Sequence, residues 1–122
     1  MESIRLESSV RERDGLKVLD VTGEIDVYTA PKFKDAVNSI ISTGQNHLII
    51  NMENVTYMDS SGFGTLLSAT KRLRPEGGTV NLVKCNNPIS RMLRITRLDT
   101  IFGTYPSEDE AIADIKKKIE SQ

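Results

Sequence analysis

Apolar and polar residues follow a strand-like period at the start of the chain and a helical period further along. The opening residues place every second side chain on one face, which predicts the first strand of a hairpin: Ile4, Leu6, Ser8 and Val10. Asp14-Gly15 follows, and both residues tolerate the positive φ of a tight turn. Residues 16–22 are apolar on both faces, so the second strand is expected to be more buried and to end at Gly23.

Helical spacing then recurs four times. The first helix is predicted to have Thr29 as its cap and Pro31 in its first turn, and the second helix follows Asp59. The third is predicted to have Asn87 as its cap, directly before a proline at the first helical position, and the fourth follows a Ser-x-x-Glu capping box at Ser107. The apolar stripes of these helices are, in order, Phe33, Ala36, Val37, Ile40 and Ile41; Phe63, Leu66, Leu67, Thr70 and Leu73; Ile89, Met92, Leu93 and Thr96; and Ala111, Ile112, Ile115 and Ile119.

Three short apolar runs separate these helices and are predicted to be strands. They cover residues 47–52, 79–83 and 101–105. The predicted order is β-β-α-β-α-β-α-β-α, and alternating strands and helices imply right-handed crossovers. We therefore predict a single α/β domain over residues 1–122, with a mixed, mostly parallel sheet that opens with the hairpin.

One segment, with the sequence YMDSSGFGT, joins the third strand to the second helix. Asp59 is the predicted N-cap, which places Ser60 and Ser61 in the first turn, where backbone N–H groups lack helical partners. Gly62 and Gly64 each cost the helix about 1 kcal/mol relative to Ala. Two such costs suggest that another group approaches the backbone closely, although by spacing alone plain helix capping is the simpler interpretation.

Composition and charge exclude several kinds of function. A net charge of -1 provides no bulk attraction for nucleic acid or an anionic membrane, and the longest apolar runs are far shorter than the about 20 residues of a membrane-spanning helix. One Cys and one His leave no disulfide framework and no Cys-rich or His-rich metal site, so Cys85 and His47 are expected to be structural. We expect no metal, cofactor or catalytic residue. Three arginines of the third helix are expected to form a solvated face: Arg91, Arg94 and Arg97.

Two stretches resemble the signatures of STAS domains, specifically of bacterial anti-sigma factor antagonists. The stretch LIINMENVTYMDSSGFGTLL resembles their buried strand, Met-Asp-Ser-Ser/Thr-Gly-Leu-Gly turn and helix. The stretch VTGEIDVYTAPKFKDAV, residues 21–37, resembles their second signature. The predicted order of elements also matches, and the one departure is Phe63 where Leu is commoner, a conservative change.

The resemblance implies a partner switch controlled by Ser60. A GHKL-type ATPase, both anti-sigma factor and serine kinase, phosphorylates this serine, and a metal-dependent serine phosphatase reverses the mark. Only the unphosphorylated antagonist binds the anti-sigma factor and frees the sigma factor. The protein is expected to be a cytoplasmic monomer or weak dimer without catalysis of its own. The implied partner-binding residues are Glu24, Asp26, Val27, Tyr28, Thr29, Met58, Asp59, Ser60, Ser61, Gly62 and Phe63.

Within this surface, Glu24 and Asp26 are expected to pair with basic groups of the partner, and Tyr28 to be an exposed anchor. Simple loop solubility for the two acids, and core packing for Tyr28, are the open alternatives. Val27 and Tyr28 lie in a loop, where specificity for a partner usually resides.

Three other functions are also open. A phosphorelay receiver would use Asp59 as phosphoacceptor, but it needs an adjacent acidic pair for Mg²⁺, and Ile25 separates the two acids of residues 24–26. An enzyme would use Ser60 or Ser61 as nucleophile, but the turn is not a G-x-S-x-G elbow and His47 is the sole candidate base. A STAS module of a stress-sensing, lipid-transport or secretion complex would have the same fold.

Overall fold

A computed structural model describes residues 5–121, which form a five-stranded sheet flanked by helices on both faces. Ile4 of the predicted hairpin lies outside the described residues. The elements in chain order are β1 (Leu6–Arg13), β2 (Leu16–Ile25), α1 (Ala30–Ile41), β3 (His47–Met58), α2 (Ser60–Leu73), β4 (Thr79–Val83), α3 (Asn87–Ile95), β5 (Gly103–Tyr105) and α4 (Glu108–Glu120). Short 3₁₀ turns at Arg74–Glu76 and Leu98–Thr100 follow α2 and α3.

The strands lie side by side in the order β1-β2-β3-β4-β5. β1 and β2 are antiparallel, and the turn between them uses positive φ at both Asp14 (53°) and Gly15 (81°). The other neighbouring pairs are parallel, and a helix connects each such pair. The predicted mixed, mostly parallel α/β fold is therefore confirmed.

Apolar side chains fill the space on both faces of the sheet. The larger cluster joins the sheet to α1, α2 and α3, and its fully buried members include Phe33, Leu66 and Leu93. The smaller cluster lies between the sheet and α4, around Ile49 and Ile115. α2, the helix that begins at the predicted Ser60 turn, thus packs on the face with the larger core.

Two strands are longer than their sequence pattern predicted. β2 continues through Gly23 to Ile25, and β3 continues past residue 52 to Met58. Gly23 has a φ of 117°, and a Cβ there would lie 2.0 Å from the carbonyl oxygen of Arg5, so this glycine permits close strand packing and does not end β2. The backbone N–H of Glu24 donates to that same carbonyl at 2.8 Å.

Several predicted details of the helices and of the last strand are wrong. Thr29 precedes α1 but its side chain does not cap the helix. Asn86, not Asn87, caps α3, because its side chain accepts a hydrogen bond from the N–H of Ile89. The last strand begins at Gly103, because Ile101 closes a 3₁₀ turn and is partly exposed. Met92 and Ile119 match helical spacing yet are 45% and 46% exposed, since α3 and α4 turn these positions to solvent. Thr96 is exposed as well, because α3 already ends at Ile95.

Candidate functional site

Two loops meet where β2 and β3 end. Ile25 and Met58 are partners in the parallel register, and the backbone N–H of Asp59 donates to the carbonyl of Ile25 at 3.0 Å. The loop that leads from β2 into α1 therefore lies beside the turn that leads from β3 into α2. This edge carries the carboxyl ends of parallel strands, where sites of open α/β sheets collect.

The turn into α2 is built by Asp59. Its backbone is extended, and its Oδ1 accepts a hydrogen bond from the N–H of Ser61 at 2.8 Å, so the predicted N-cap is confirmed. Ser60 is the first residue of the helix and is exposed. Among the described residues its hydroxyl has no hydrogen-bond partner, and the first turn of α2 contains no acidic side chain.

The two glycines of α2 have different surroundings. A Cβ at Gly62 would lie 2.5 Å from Met58 Cγ and 2.8 Å from Ile25 Cγ2, so the predicted close approach is real there. A Cβ at Gly64 would meet no atom within 4 Å. Packing within this chain therefore requires a glycine at residue 62, whereas at residue 64 a larger side chain would fit.

Asp26 organises the loop before α1 from inside. It is 8% exposed, and its Oδ1 accepts the backbone N–H groups of Tyr28 at 2.9 Å and Thr29 at 3.0 Å. Its Oδ2 pairs with Arg5. Burial alone would raise the pKa of Asp26, but the hydrogen bonds from Thr29 and Tyr28 and the charge of Arg5 together lower it. Asp26 therefore shapes the loop from within the chain. Its pairing with a basic group of a partner stays a prediction.

The same loop displays two large apolar side chains at its tip. Val27 is 62% and Tyr28 is 81% exposed, so core packing of Tyr28 is excluded. The Arg5 guanidinium lies 5.9 Å from the centre of the Tyr28 ring, within cation–π range, and also pairs with Glu24 at 3.3 Å. Arg5 thus braces the exposed tip, while Asp26 holds it from beneath.

The other predicted partner-binding residues fall into two groups. Glu24, Asp59 and Ser61 are half-buried at the surface of the two loops. The remainder are buried and support that surface: Thr29, Met58, Gly62 and Phe63.

Sequence reasoning missed Arg5 and Tyr57 in this region. Arg5 comes next to Glu24 only through the antiparallel pairing of β1 with β2, about 19 residues away in sequence. Tyr57 is 50% exposed because it points away from its buried neighbour Met58 in β3. The one sequence signal for the exposure of Tyr57 was its position next to Met58 in a strand, where neighbouring side chains point to opposite faces.

His47 and Cys85, the single histidine and the single cysteine of the chain, have surroundings that fit structural roles. His47 begins β3 and Ser60 follows its far end, so an extended strand of about 35 Å separates them and His47 does not serve Ser60 as a base. His47 bonds Thr79 Oγ1 at 2.8 Å, and burial and Lys118 lower its pKa. Burial raises the pKa of the Cys85 thiol to about 11. Residues 5–121 contain no cluster of three His, Cys, Asp or Glu suited to a metal ion.

Two of the three arginines predicted on the third helix lie on α3, but α3 ends at Ile95, and Arg97 lies beyond it with a φ of 63°. All three arginines of the predicted solvated face are exposed: Arg91, Arg94 and Arg97. In the part of the chain that the structure describes, none of the helices combines the length and the apolar character needed to cross a bilayer.

Comparisons with known proteins agree on one family. The model of the STAS domain family matches residues 7–111. An anti-sigma F factor antagonist of Paenibacillus polymyxa is 25% identical over 114 residues, which cover 93% of this chain and 97% of that protein. An anti-sigma-B factor antagonist of Staphylococcus aureus is 31% identical over 86 residues, or 70% of this chain and 80% of that protein.

Solved structures show the same likeness. The crystal structure of an anti-sigma factor antagonist from Mycobacterium paratuberculosis superposes with a TM-score of 0.82 and 29% sequence identity. The superposition covers 91% of this chain and 94% of the other. The likeness therefore extends over nearly the whole of both chains.

Proposed function

Because the chain belongs to the STAS domain family, we propose that it is an anti-sigma factor antagonist whose partner binding is switched by phosphorylation of Ser60. Homologues with antagonist names support the general function. The single observation that carries the switch is the exposed Ser60 hydroxyl in the first turn of α2, free of hydrogen bonds to the described residues.

A phosphate on Ser60 is expected to leave the fold undisturbed. A phosphate adds about -1.5 to -2 charges, and the amino end of a helix favours negative charge. Ser60 is solvent-exposed, so the added group does not displace packed atoms. We therefore expect the phosphorylated and unphosphorylated proteins to have the same fold and to differ at this one surface.

The partner would contact the surface formed by the two loops. Val27 and Tyr28 supply the exposed apolar area, and Ser60 lies in the adjoining turn. A phosphate there introduces charge and bulk where a small hydroxyl had packed, which opposes the desolvation that such an interface requires. A loss of about 3 kcal/mol lowers affinity more than a hundredfold, enough to release a partner.

The proposed partner is a GHKL-type anti-sigma factor that is also the serine kinase, and a metal-dependent serine phosphatase removes the phosphate. The antagonist itself binds and is modified but catalyses nothing. Since the kinase consumes ATP, the cytoplasm is the proposed location. The receiver alternative is disfavoured because Asp59 Oδ1 is occupied as the helix cap.

Binding and phosphorylation together test the proposal. Each GHKL-type serine kinase of the source genome is titrated with wild-type protein and with Ser60→Asp by calorimetry, and phosphate transfer from ATP is located by mass spectrometry. We expect one kinase to bind wild type at least a hundredfold more tightly than Ser60→Asp, and to modify Ser60 alone.

Ser61→Ala is the matched control, because it removes the neighbouring hydroxyl and leaves Ser60 intact. It should still accept phosphate, whereas Ser60→Ala should not. Phosphorylation of Ser60→Ala at the wild-type rate, or equal binding of wild type and Ser60→Asp, would show that the proposed switch is wrong.

A further inference from the structure

A groove runs between α1 and α2 and begins beside the turn that carries Ser60. Its volume is about 510 Å³, and it is partly open to solvent. Ser61 lines it at the end next to Ser60, and Arg72 lines it in the last turn of α2. The full lining is Lys34, Val37, Asn38, Ser61, Gly64, Thr65, Ser68, Ala69 and Arg72.

Gly64 keeps the middle of this groove empty. It is exposed inside α2, and a Cβ at this position would meet no atom within 4 Å. At residue 62, about half a turn earlier, the packing of this chain itself requires a glycine, because a side chain there would collide with Met58 and Ile25. A glycine in a helix interior weakens the helix, and nothing inside this chain requires one at residue 64. An external group that approaches the α2 backbone would require it.

The groove is positively charged. Lys34 on α1 and Arg72 on α2 line it, and no Asp or Glu does. Among the described residues, neither cation forms an ion pair, and the Arg72 guanidinium only donates to Asn38 Oδ1 at 3.2 Å. The arginines near the hairpin, by contrast, are all paired with carboxylates, as Arg11 is with Asp20 and Glu108. Unpaired cations around a polar groove are complementary to carboxylates of another chain.

We propose that the α1–α2 groove docks an acidic segment of the anti-sigma factor that binds at Ser60, an inference that rests on the proposed function. The segment lies across Gly64, where the absent side chain lets its backbone or a short side chain approach α2. Its carboxylates lie within reach of Lys34 and Arg72. The groove is continuous with the Ser60 turn through Ser61, so one partner can cover both.

This arrangement adds a second component to the phosphate switch. A phosphate on Ser60 stands at one end of the groove and carries the same sign of charge as the docked segment. It therefore repels the segment and at the same time screens the groove cations from it. Binding at the groove is consequently expected to weaken with added salt.

A peptide titration tests the groove without any kinase. The probe is a capped, alanine-based helical peptide with glutamates at i and i+4, and its glutamine counterpart is the matched control. The readout is the NMR spectrum of ¹⁵N-labelled wild-type protein at low salt. Millimolar glutamate peptide should shift the backbone amide resonances of Gly64, Ser68 and their neighbours, and the glutamine peptide should not. Shifts that are absent, or that centre on the lysines near the end of α4, would overturn the groove assignment.

Substitutions at Gly64 separate binding from folding. Gly64→Gln places a good helix former in open space, so the melting temperature should rise by about 3–6 °C. The same variant should bind the kinase at least tenfold more weakly because its side chain fills the groove. Ser39→Gln, on the exposed side of α1, is the control and should bind as wild type. A Gly64→Gln variant that binds the kinase as wild type would contradict the proposal.

Charge reversal tests the groove cations. Lys34→Glu with Arg72→Glu should weaken kinase binding at least tenfold and reduce its dependence on salt. Lys116→Glu with Lys117→Glu makes the same change in net charge on α4, on the opposite face of the sheet, and should have little effect. If Ser60→Asp abolishes binding but the groove variants bind normally, only the groove proposal fails. If no kinase binds wild type, the proposed function fails, and the peptide titration still decides whether the groove accepts an acidic segment.

Discussion

The two faces of the sheet hold their helices by different forces. On one face, 22 buried apolar residues join the strands to α1, α2 and α3. On the other, seven buried apolar residues lie beneath α4. Apolar burial is therefore the main source of stability on the first face, and the second needs additional interactions to fix its helix.

Polar contacts provide those interactions for α4. Glu108 begins the helix and is buried, and its carboxylate accepts hydrogen bonds from Arg11 at 2.6 Å, Asn51 at 2.6 Å and Arg13 at 3.0 Å. Further along the same helix, the Tyr105 hydroxyl donates to Asp114 Oδ2 at 2.8 Å. These contacts depend on ionisation and direction, whereas apolar burial depends on neither.

The difference explains where a phosphate switch can be placed. Ser60 lies on α2, a helix that is held by apolar contacts. Two added negative charges at its amino end leave those contacts unchanged. The same charges close to Glu108 would compete for Arg11 and Arg13 and loosen α4. The face with the larger apolar core is thus the one that tolerates a reversible change of charge.

Leu66→Ala is expected to have the largest effect on stability. Leu66 is fully buried in α2, and its truncation should lower the free energy of unfolding by about 3 kcal/mol through lost burial and a cavity. Leu67→Ala, at a half-buried neighbouring position, is the control and should cost about 1 kcal/mol. Urea unfolding measures both. Equal losses would mean that α2 is not held by the buried stripe.

Glu108→Gln should break the charge network under α4 and lower the free energy of unfolding by about 2 kcal/mol at neutral pH. Burial alone would raise the pKa of Glu108, but hydrogen bonds from Arg11, Asn51 and Arg13 lower it from 4.5 to about 2. A carboxylate with a lowered pKa stabilises the folded state above its unfolded pKa, and this contribution fades as the pH falls.

The difference in stability between wild type and Glu108→Gln should therefore shrink as the pH drops from 4.5 towards about 2. Denaturant unfolding at several pH values measures it. Glu120→Gln, on the exposed end of α4, is the control and should show no such convergence. A difference that stays constant over this range would argue against an ionised Glu108 as the centre of the network.

Gly62→Ala should lower the free energy of unfolding by about 1–2 kcal/mol, because its Cβ would overlap Met58 and Ile25 and outweigh the gain in helix propensity. Since the clash is steric, the loss should be the same at low and high salt. Thermal unfolding of this variant beside Gly64→Ala is the measurement. Stabilisation by both substitutions would show that the turn is less tightly packed than the structure indicates.

Tyr105→Phe should have the smallest effect, a loss of about 1 kcal/mol, because it removes one hydrogen bond to Asp114 and keeps the ring. Asp114→Ala, which removes the acceptor, should lose a similar amount, and the double variant should lose little more than either single variant. Additive losses from urea unfolding would show that the two residues act independently and that this pair does not help hold α4.

The local features of the candidate site were predictable from short-range patterns. Asp59 was recognisable as a helix cap because a capping side chain bonds a backbone N–H only two residues away. The exposure of Ser60 follows from its place in the first turn of α2. The contact that requires Gly62 was foreseen as a close approach, although its identity, Met58 and Ile25, was not.

Features that depend on distant pairing were not predictable. The contacts of Asp26 with Arg5 and with two backbone N–H groups were not foreseen. The strands β2 and β3 extend beyond their apolar runs because each pairs with the other up to the site. Met92 is exposed although it matches helical spacing, because spacing does not show how wide the covered stripe of a helix is.

The sequence by itself determined the order of elements, the parallel α/β class and the position of the serine turn. Each of these follows from interactions among residues within a few positions of one another, or from a period that one element repeats. Only the tertiary structure decided that Arg5 braces Tyr28, that Glu108 gathers Arg11 and Arg13 under α4, and that Gly64 faces an open groove. These contacts join residues from elements far apart in the chain, and only the packing of the complete sheet brings them together.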